Sequence, residues 1–304
     1  MNDAINPQNT LHRFIFDAHP IRGNVVKLSS TLNDALAHHD YPAIVKNALG
    51  ELMAAAALLI STLKMEGVLI LQIQGKGALR LLVVECDSDL KMRATAKWDE
   101  KWTDELNSQA SDFAFVDLVN NGHFIITLDP KQGEAYQGIV AIEGTTIAEM
   151  LQHYMMRSQQ IDTALWLACD GKRASGMLLQ KLPDVGDVNT DADAWNRVNQ
   201  LANTVTTDEL QTLPAETLLS RLFAEEDVRL FEPTATQFHC SCSQNNVANM
   251  LHMLGADELN SILAEFGKID VNCDFCNKQY VFDAIDTAQL LHTQTPVNAS
   301  KAKH

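Results

Sequence analysis

The chain has 304 residues, 46% of them hydrophobic and 20% charged, which is the balance of a globular protein with material for a sizeable core. Its length exceeds the usual span of one domain. A formal net charge of -16 argues against non-specific nucleic-acid binding, because phosphate recognition needs clustered lysines and arginines that release counterions.

The opening residues, 1–8, are polar and carry no signal-peptide pattern. The longest uninterrupted apolar run near the N-terminus, 52–60, falls well short of the ~20 residues of a bilayer-spanning helix, so a cytoplasmic protein with no membrane partner is expected. A helix is predicted over 42–64, with Pro42 suited to its first turn. Strands follow at 68–74 and 79–85, joined through Gly75 and Gly77 as a hairpin. Further strands are expected at 91–98, 124–128 and 139–143. A second helix is expected over 145–159, with Ile147, Met150, Leu151 and Tyr154 on one face. Antiparallel strands with inserted helices and no recurrent βαβ unit define an α+β fold for residues 1–183, and a fragment ending near Pro183 is expected to fold by itself.

After Pro183 the composition shifts. Residues 184–232 hold eleven acidic and three basic side chains, a charge of -8 that is half the chain's total. Apolar residues recur there at helical spacing: Trp195, Val198, Leu201, Ala202 and Val205, then Leu218, Leu219, Leu222 and Phe223. Residues 184–237 therefore read as amphipathic helices that need a surface to lie on and form a metastable linker. Residues 238–292 read as a small separate domain. It has helices at 245–254 and 257–266, each ended by a glycine (Gly255, Gly267), a hairpin over 269–271 and 278–282, and a last helix at 286–291. The polar tail, 293–304, is expected to be disordered.

Six cysteines in a reducing compartment are poor candidates for structural disulfides. Four of them form two close pairs, Cys240-Ser241-Cys242 and Cys273-Asp274-Phe275-Cys276, separated by 30 residues. Thiolates are soft ligands, and zinc takes four of them in a tetrahedron supplied as two pairs, so these residues are read as the ligands of one zinc ion per chain. A module this small buries too little surface to be comfortable alone, and a metal explains how it folds. A purely structural staple competes with a redox switch: electron-rich thiolates beside Asp274 are oxidisable, and neighbouring cysteines are placed to pair locally. Cys86 and Cys169 read as small buried hydrophobes, and His239 as a weak candidate for a substitute ligand. A dithiol oxidoreductase using Cys273 and Cys276 is the alternative function. It is disfavoured because a redox-catalytic Cys-x-x-Cys opens a helix, whereas this one falls in a hairpin.

Several segments together resemble one family. They are Phe238-His239-Cys240-Ser241-Cys242-Ser243, Met250-Leu251, Leu254-Gly255, Ile262-Leu263 with Glu265 and Gly267, and Val271-Asn272-Cys273-Asp274-Phe275-Cys276 with Tyr280 and Phe282. Supporting segments are Arg22-Gly23, Leu49-Gly50-Glu51-Leu52, Thr62-Leu63-Lys64 before Gly67, Tyr136-Gln137-Gly138-Ile139-Val140, and Arg221-Leu222-Phe223 with Glu225-Glu226. The chain is similar in these to the redox-regulated heat-shock holdase chaperones, the 33 kDa chaperonin family. The resemblance implies a non-enzymatic, ATP-independent protein, zinc-bound and inactive when reduced. Oxidation would release the zinc, form disulfides Cys240-Cys242 and Cys273-Cys276, unfold the linker, and let a homodimer hold unfolded client proteins against aggregation. One departure is visible: Gln244-Asn245-Asn246 stands where the family often carries charges.

Overall fold

The computed structural model describes residues 7–107, 115–183, 191 and 193–292. The expected disordered tail, 293–304, and the start of the expected linker, 184–190, lie outside the described residues. The chain divides into two compact units, Met1–His239 and Cys240–His304.

The first unit opens with β1 (Asn9–Phe16), β2 (Ile21–Leu28), α1 (Ser30–Leu36) and the long α2 (Ala43–Ile60). Three strands follow, β3 (Gly67–Gln74), β4 (Leu79–Asp87) and β5 (Lys91–Trp98), then the short α3 (Thr103–Asn107) and α4 (Phe115–Val119). Next come β6 (His123–Pro130), β7 (Tyr136–Ala141) and α5 (Ile147–Tyr154), which runs into a wider π-type turn over Met155–Gln159. β8 (Thr163–Cys169) and β9 (Ala174–Lys181) precede three helices, α6 (Ala194–Ala202), α7 (Thr207–Thr212) and α8 (Ala215–Leu222). Three short strands, β10 (Val228–Leu230), β11 (Thr234–Ala235) and β12 (Gln237–Phe238), complete the unit.

These strands build two sheets, and the α+β expectation holds. One is ordered β10-β1-β2-β9-β8 with β11 also on β1, and is antiparallel throughout. The other is ordered β12-β5-β4-β3-β6-β7, antiparallel except where β12 runs parallel to β5. The hairpin expected through Gly75 is present, and Gly75 is required there because a Cβ would lie 2.2 Å from the carbonyl oxygen of Leu79.

Helix α2 packs on β2, β8 and β9 of one sheet and on β3, β4 and β5 of the other. It is the one described helix long and apolar enough to cross a membrane, yet most of it is buried inside the unit. A helix that is apolar all round is a core helix, and Ala54, Ala55, Ala56 and Ala57, all fully buried, let both sheets approach its backbone.

The first sheet is covered on both faces. Val26, Leu28 and Leu178 turn toward α2, while Phe14, Phe16, Ile21, Val25, Met177 and Leu179 turn to the opposite face. There they meet Ala194, Val198 and Ala202 of α6, Leu210 of α7, and Leu218, Leu219 and Leu222 of α8 with Phe223. The amphipathic helices read from the sequence thus have their surface: the outer face of this sheet. Trp195 is partly buried in the same cluster, and Trp166 of β8 donates its indole N–H to Asn203 Oδ1 at 3.1 Å. Polar contacts add to the docking. Lys27 of β2 is buried and donates its ammonium to the carbonyl of Leu210, and burial depresses its pKa to about 8. Arg197 of α6 bonds Glu226 at 2.7 Å, and Glu226 also lies 3.4 Å from His19. Thr206 and Glu209 close a capping box at the start of α7.

The second unit contains α9 (Gln244–Leu254), α10 (Ala256–Phe266), the hairpin β13 (Ile269–Asn272) and β14 (Gln279–Phe282), and α11 (Ala284–His292). Gly267 ends α10 in the left-handed conformation that the sequence assigns to it. The core here is small: Ala248, Leu251, Leu259, Ile269, Tyr280 and Phe282 are its buried apolar residues.

Candidate metal centre

Two local structures present the four paired cysteines. Cys273 directly follows β13 of the β13–β14 hairpin and Cys276 lies in its turn, closed by Cys273 N–H donating to Lys278 O at 3.0 Å and Asn277 N–H donating to Cys273 O at 2.8 Å. Asn277 sits at φ +52°, the left-handed region that asparagine tolerates better than most residues. Cys240 and Cys242 precede α9, whose N-cap is Ser243: its hydroxyl accepts from Asn246 N–H at 3.2 Å. The Asn246 side chain reaches back to donate to the Ser241 carbonyl at 3.2 Å, which fixes the single-residue turn between the two thiols.

The fold brings all four thiols together. Cys240 Sγ lies 3.7 Å from Cys273 Sγ, Cys242 Sγ lies 3.4 Å from Cys276 Sγ, and the four sulfurs are all within 4.8 Å of one another. A tetrahedral ion with sulfur ligands at ~2.3 Å separates those ligands by about 3.8 Å, so the donor set has the size and softness that such an ion requires. The four-cysteine cluster can hold a metal ion. His239 is outside the cluster.

Electrostatics agree. Burial, together with the crowding of neighbouring thiols, pushes the Cys276 thiol up to about 12. A divalent cation held by Cys240, Cys242, Cys273 and Cys276 would favour the thiolate form of its ligands. The N-terminal end of the 11-residue α9, one residue beyond Cys242, adds a favourable partial positive charge. Tyr280 Oη donates to Cys242 Sγ at 3.1 Å.

The sequence pairs the cysteines but leaves the roles of Asn246, Asn277 and Tyr280 unread. The signal for Tyr280 is its alternation with Phe282, which turns both inward on β14. That for Asn246 is its place three residues after a serine N-cap. Asn246 belongs to the Gln244-Asn245-Asn246 departure, so this segment supports the site with an amide in place of charges. Cys86 and Cys169 belong to the interior of the first unit. Cys86 is fully buried and its thiol is raised by desolvation, while Cys169, pushed up to about 12, accepts from Gly171 N–H at 3.3 Å.

The family model described as Hsp33 protein matches residues 9–283. The 33 kDa chaperonin of Methylobacillus flagellatus is 55% identical over 296 residues, covering 97% of this chain and 98% of its own. That of Neisseria gonorrhoeae is 46% identical over 288 residues, covering 94% and 93%. The crystal structure of the 33 kDa chaperonin of Thermotoga maritima superposes with a TM-score of 0.79 at 22% identity, covering 93% of this chain and 98% of that one, and shows the same fold. With its fold, its four-cysteine cluster and relatives of this identity along nearly its whole length, the chain belongs to the Hsp33 family of chaperones.

Proposed function

We propose that this chaperone is a redox-regulated, ATP-independent holdase of the cytoplasm, and that Cys240, Cys242, Cys273 and Cys276 hold one zinc ion per chain in the reduced state. The observation that carries the proposal is the convergence of four thiols, from segments some thirty residues apart, in a unit whose own apolar core is small. A structural metal can contribute ~10 kcal/mol or more to folding such a module.

Oxidation of the four thiolates to disulfides Cys240-Cys242 and Cys273-Cys276 gives up two electrons for each disulfide. Two equivalents of peroxide take up those electrons with four protons and leave four waters, and sulfurs committed to disulfides no longer hold the ion. Two short-range disulfides close tiny loops and cannot replace the metal as a fold constraint. Residues 238–292 then unfold, and the linker, 184–237, loosens with them. Its last strand, β12, is joined to Cys240 through His239 alone. Undocking bares two surfaces together, the apolar faces of α6 and α8 and the sheet face carrying Phe14, Phe16, Val25 and Met177. Contiguous apolar surface of that kind is what captures an unfolding client. Dimerisation of the oxidised form and the absence of nucleic-acid and membrane partners complete the proposal, the latter supported by the charge of -16.

The test is aggregation suppression of a denaturing client, measured with and without prior peroxide and alongside zinc release by a colorimetric chelator. Suppression that appears only after peroxide and in step with zinc release is expected. Equal suppression by reduced, zinc-loaded protein overturns the switch.

A further inference from the structure

Two of the segments singled out in the sequence, Arg22-Gly23 and Thr62-Leu63-Lys64, play no part in the metal centre, yet they meet in the first unit. Arg22 of the one and all three residues of the other line one cavity of about 450 Å³ with Arg13 of β1 and Phe231, which follows β10. Arg13, Arg22 and Lys64 give this cavity three cationic side chains, and no carboxylate lines it. That is a strong local inversion in a chain with 39 acidic and 23 basic residues. Among the described residues none of the three forms an ion pair with a carboxylate, although most arginines of the chain do.

Arg22 is partly engaged, and only by neutral partners. Its Nε and Nη2 donate to Gln180 Oε1 at 3.0 and 2.7 Å, and Nη2 also donates to the Thr62 carbonyl at 3.2 Å. These bonds tie β2 to β9 and to the end of α2, which accounts for a hydrogen-bonding side chain at this position. They do not account for the charge. Nη1 has no protein partner among the described residues, and burial depresses the pKa of the group, the mark of a cation without a compensating anion. The carbonyl end of α2 supplies only about half a negative charge, against three positive ones. The site is rigid below and adaptable at its rim. Asn24 is buried and held by Ser61 Oγ at 2.7 Å, while Arg13 and Lys64 are exposed.

We propose that this cavity is an anion site that takes a compound with two or more linked phosphates, with Arg22 holding one phosphate from the floor and Arg13 and Lys64 closing on the others. A guanidinium fork and flexible ammonium groups suit phosphate oxygens, and the volume exceeds what a single phosphate needs. Phe231, 42% exposed at the cavity's edge, offers a face for a base if the phosphates belong to a nucleotide.

Calorimetric titration of the full reduced chain with tripolyphosphate, at low salt and without divalent cations, tests this. One saturable site is expected. R13Q and K64Q, both at exposed positions, are each expected to weaken it about tenfold, the worth of one charge-assisted hydrogen bond. K172Q and K268Q make the same change of net charge away from the cavity and are expected to leave it unchanged. Adenosine triphosphate binding more tightly than tripolyphosphate, with the gain lost in F231A, identifies a nucleotide; equal affinities identify an inorganic polyphosphate. Absence of saturable binding, or equal weakening by the K172Q and K268Q controls, overturns the site.

Discussion

At the scale of the residue, the four cysteines were legible because their chemistry is written in their spacing, whereas their supports were not. Asn246 acts through a carbonyl five positions back, and Tyr280 through a sulfur 38 positions away; local spacing places each side chain but does not name its partner. If the four thiols are the ligands, serine at Cys240, Cys242, Cys273 or Cys276 removes most of the zinc from the purified reduced protein, while serine at Cys86 or Cys169 leaves one zinc per chain. Metal analysis that finds full zinc in Cys273→Ser rejects the assignment. Glu51 of α2 offers a prediction of another kind. Desolvation raises its carboxyl to about 7, so the folded state retains a proton that the unfolded chain releases near 4.5. Its contribution to stability is therefore most favourable below about pH 4.5 and declines as pH rises to about 7, with a span of roughly 3 kcal/mol. Glu51→Gln is expected to melt higher than the parent at pH 7.5 and to lose that advantage near pH 4.5; equal melting temperatures at both pH values contradict it.

At the scale of the element, two kinds of strand were read with different success. β3 and β4 alternate buried and less buried positions, as strands with one covered face do, and their β-branched and aliphatic runs joined through Gly75 and Gly77 make them legible as a hairpin. β2 and β9 are buried on both faces, by α2 on one side and by α6, α7 and α8 on the other, so their apolar runs carry no period of two and escaped the reading. The helices at 194–222 were legible from their spacing, but the surface they cover was not, because it belongs to strands far away in sequence. Hydrogen exchange is expected to lose protection from about residue 193 onward on oxidation while α2 keeps its own. Unchanged protection over α6–α8 alongside client binding excludes linker unfolding. A fragment ending at residue 183 retains α2 between its sheets but lacks α6, α7 and α8. It is expected to give an α+β circular dichroism spectrum and to bind an apolar dye strongly, whereas a fragment ending at residue 239 does not. Dye binding equal in the two contradicts the covering role of the helices.

At the scale of the whole molecule, stability is distributed unevenly. The first unit buries a helix between two sheets and a further helical layer, while the second has, among the described residues, six buried apolar residues and a cluster of thiols. Chelation of zinc from the reduced chain is therefore expected to abolish the melting of residues 240–292 and leave the main transition of the first unit in place. A single transition shifted as a whole would show instead that the metal stabilises both units together.

The placement of the four tryptophans makes the protein its own optical instrument. Trp98, Trp102, Trp166 and Trp195 all lie in the first unit, and the last two sit where the helices of 194–222 meet the sheet. Indole emission thus responds to undocking: as water reaches Trp166 and Trp195, their emission shifts to the red. Recorded against zinc release after mixing with oxidant, the delay between the two signals gives the time by which opening of the chaperone surface trails the chemistry at sulfur.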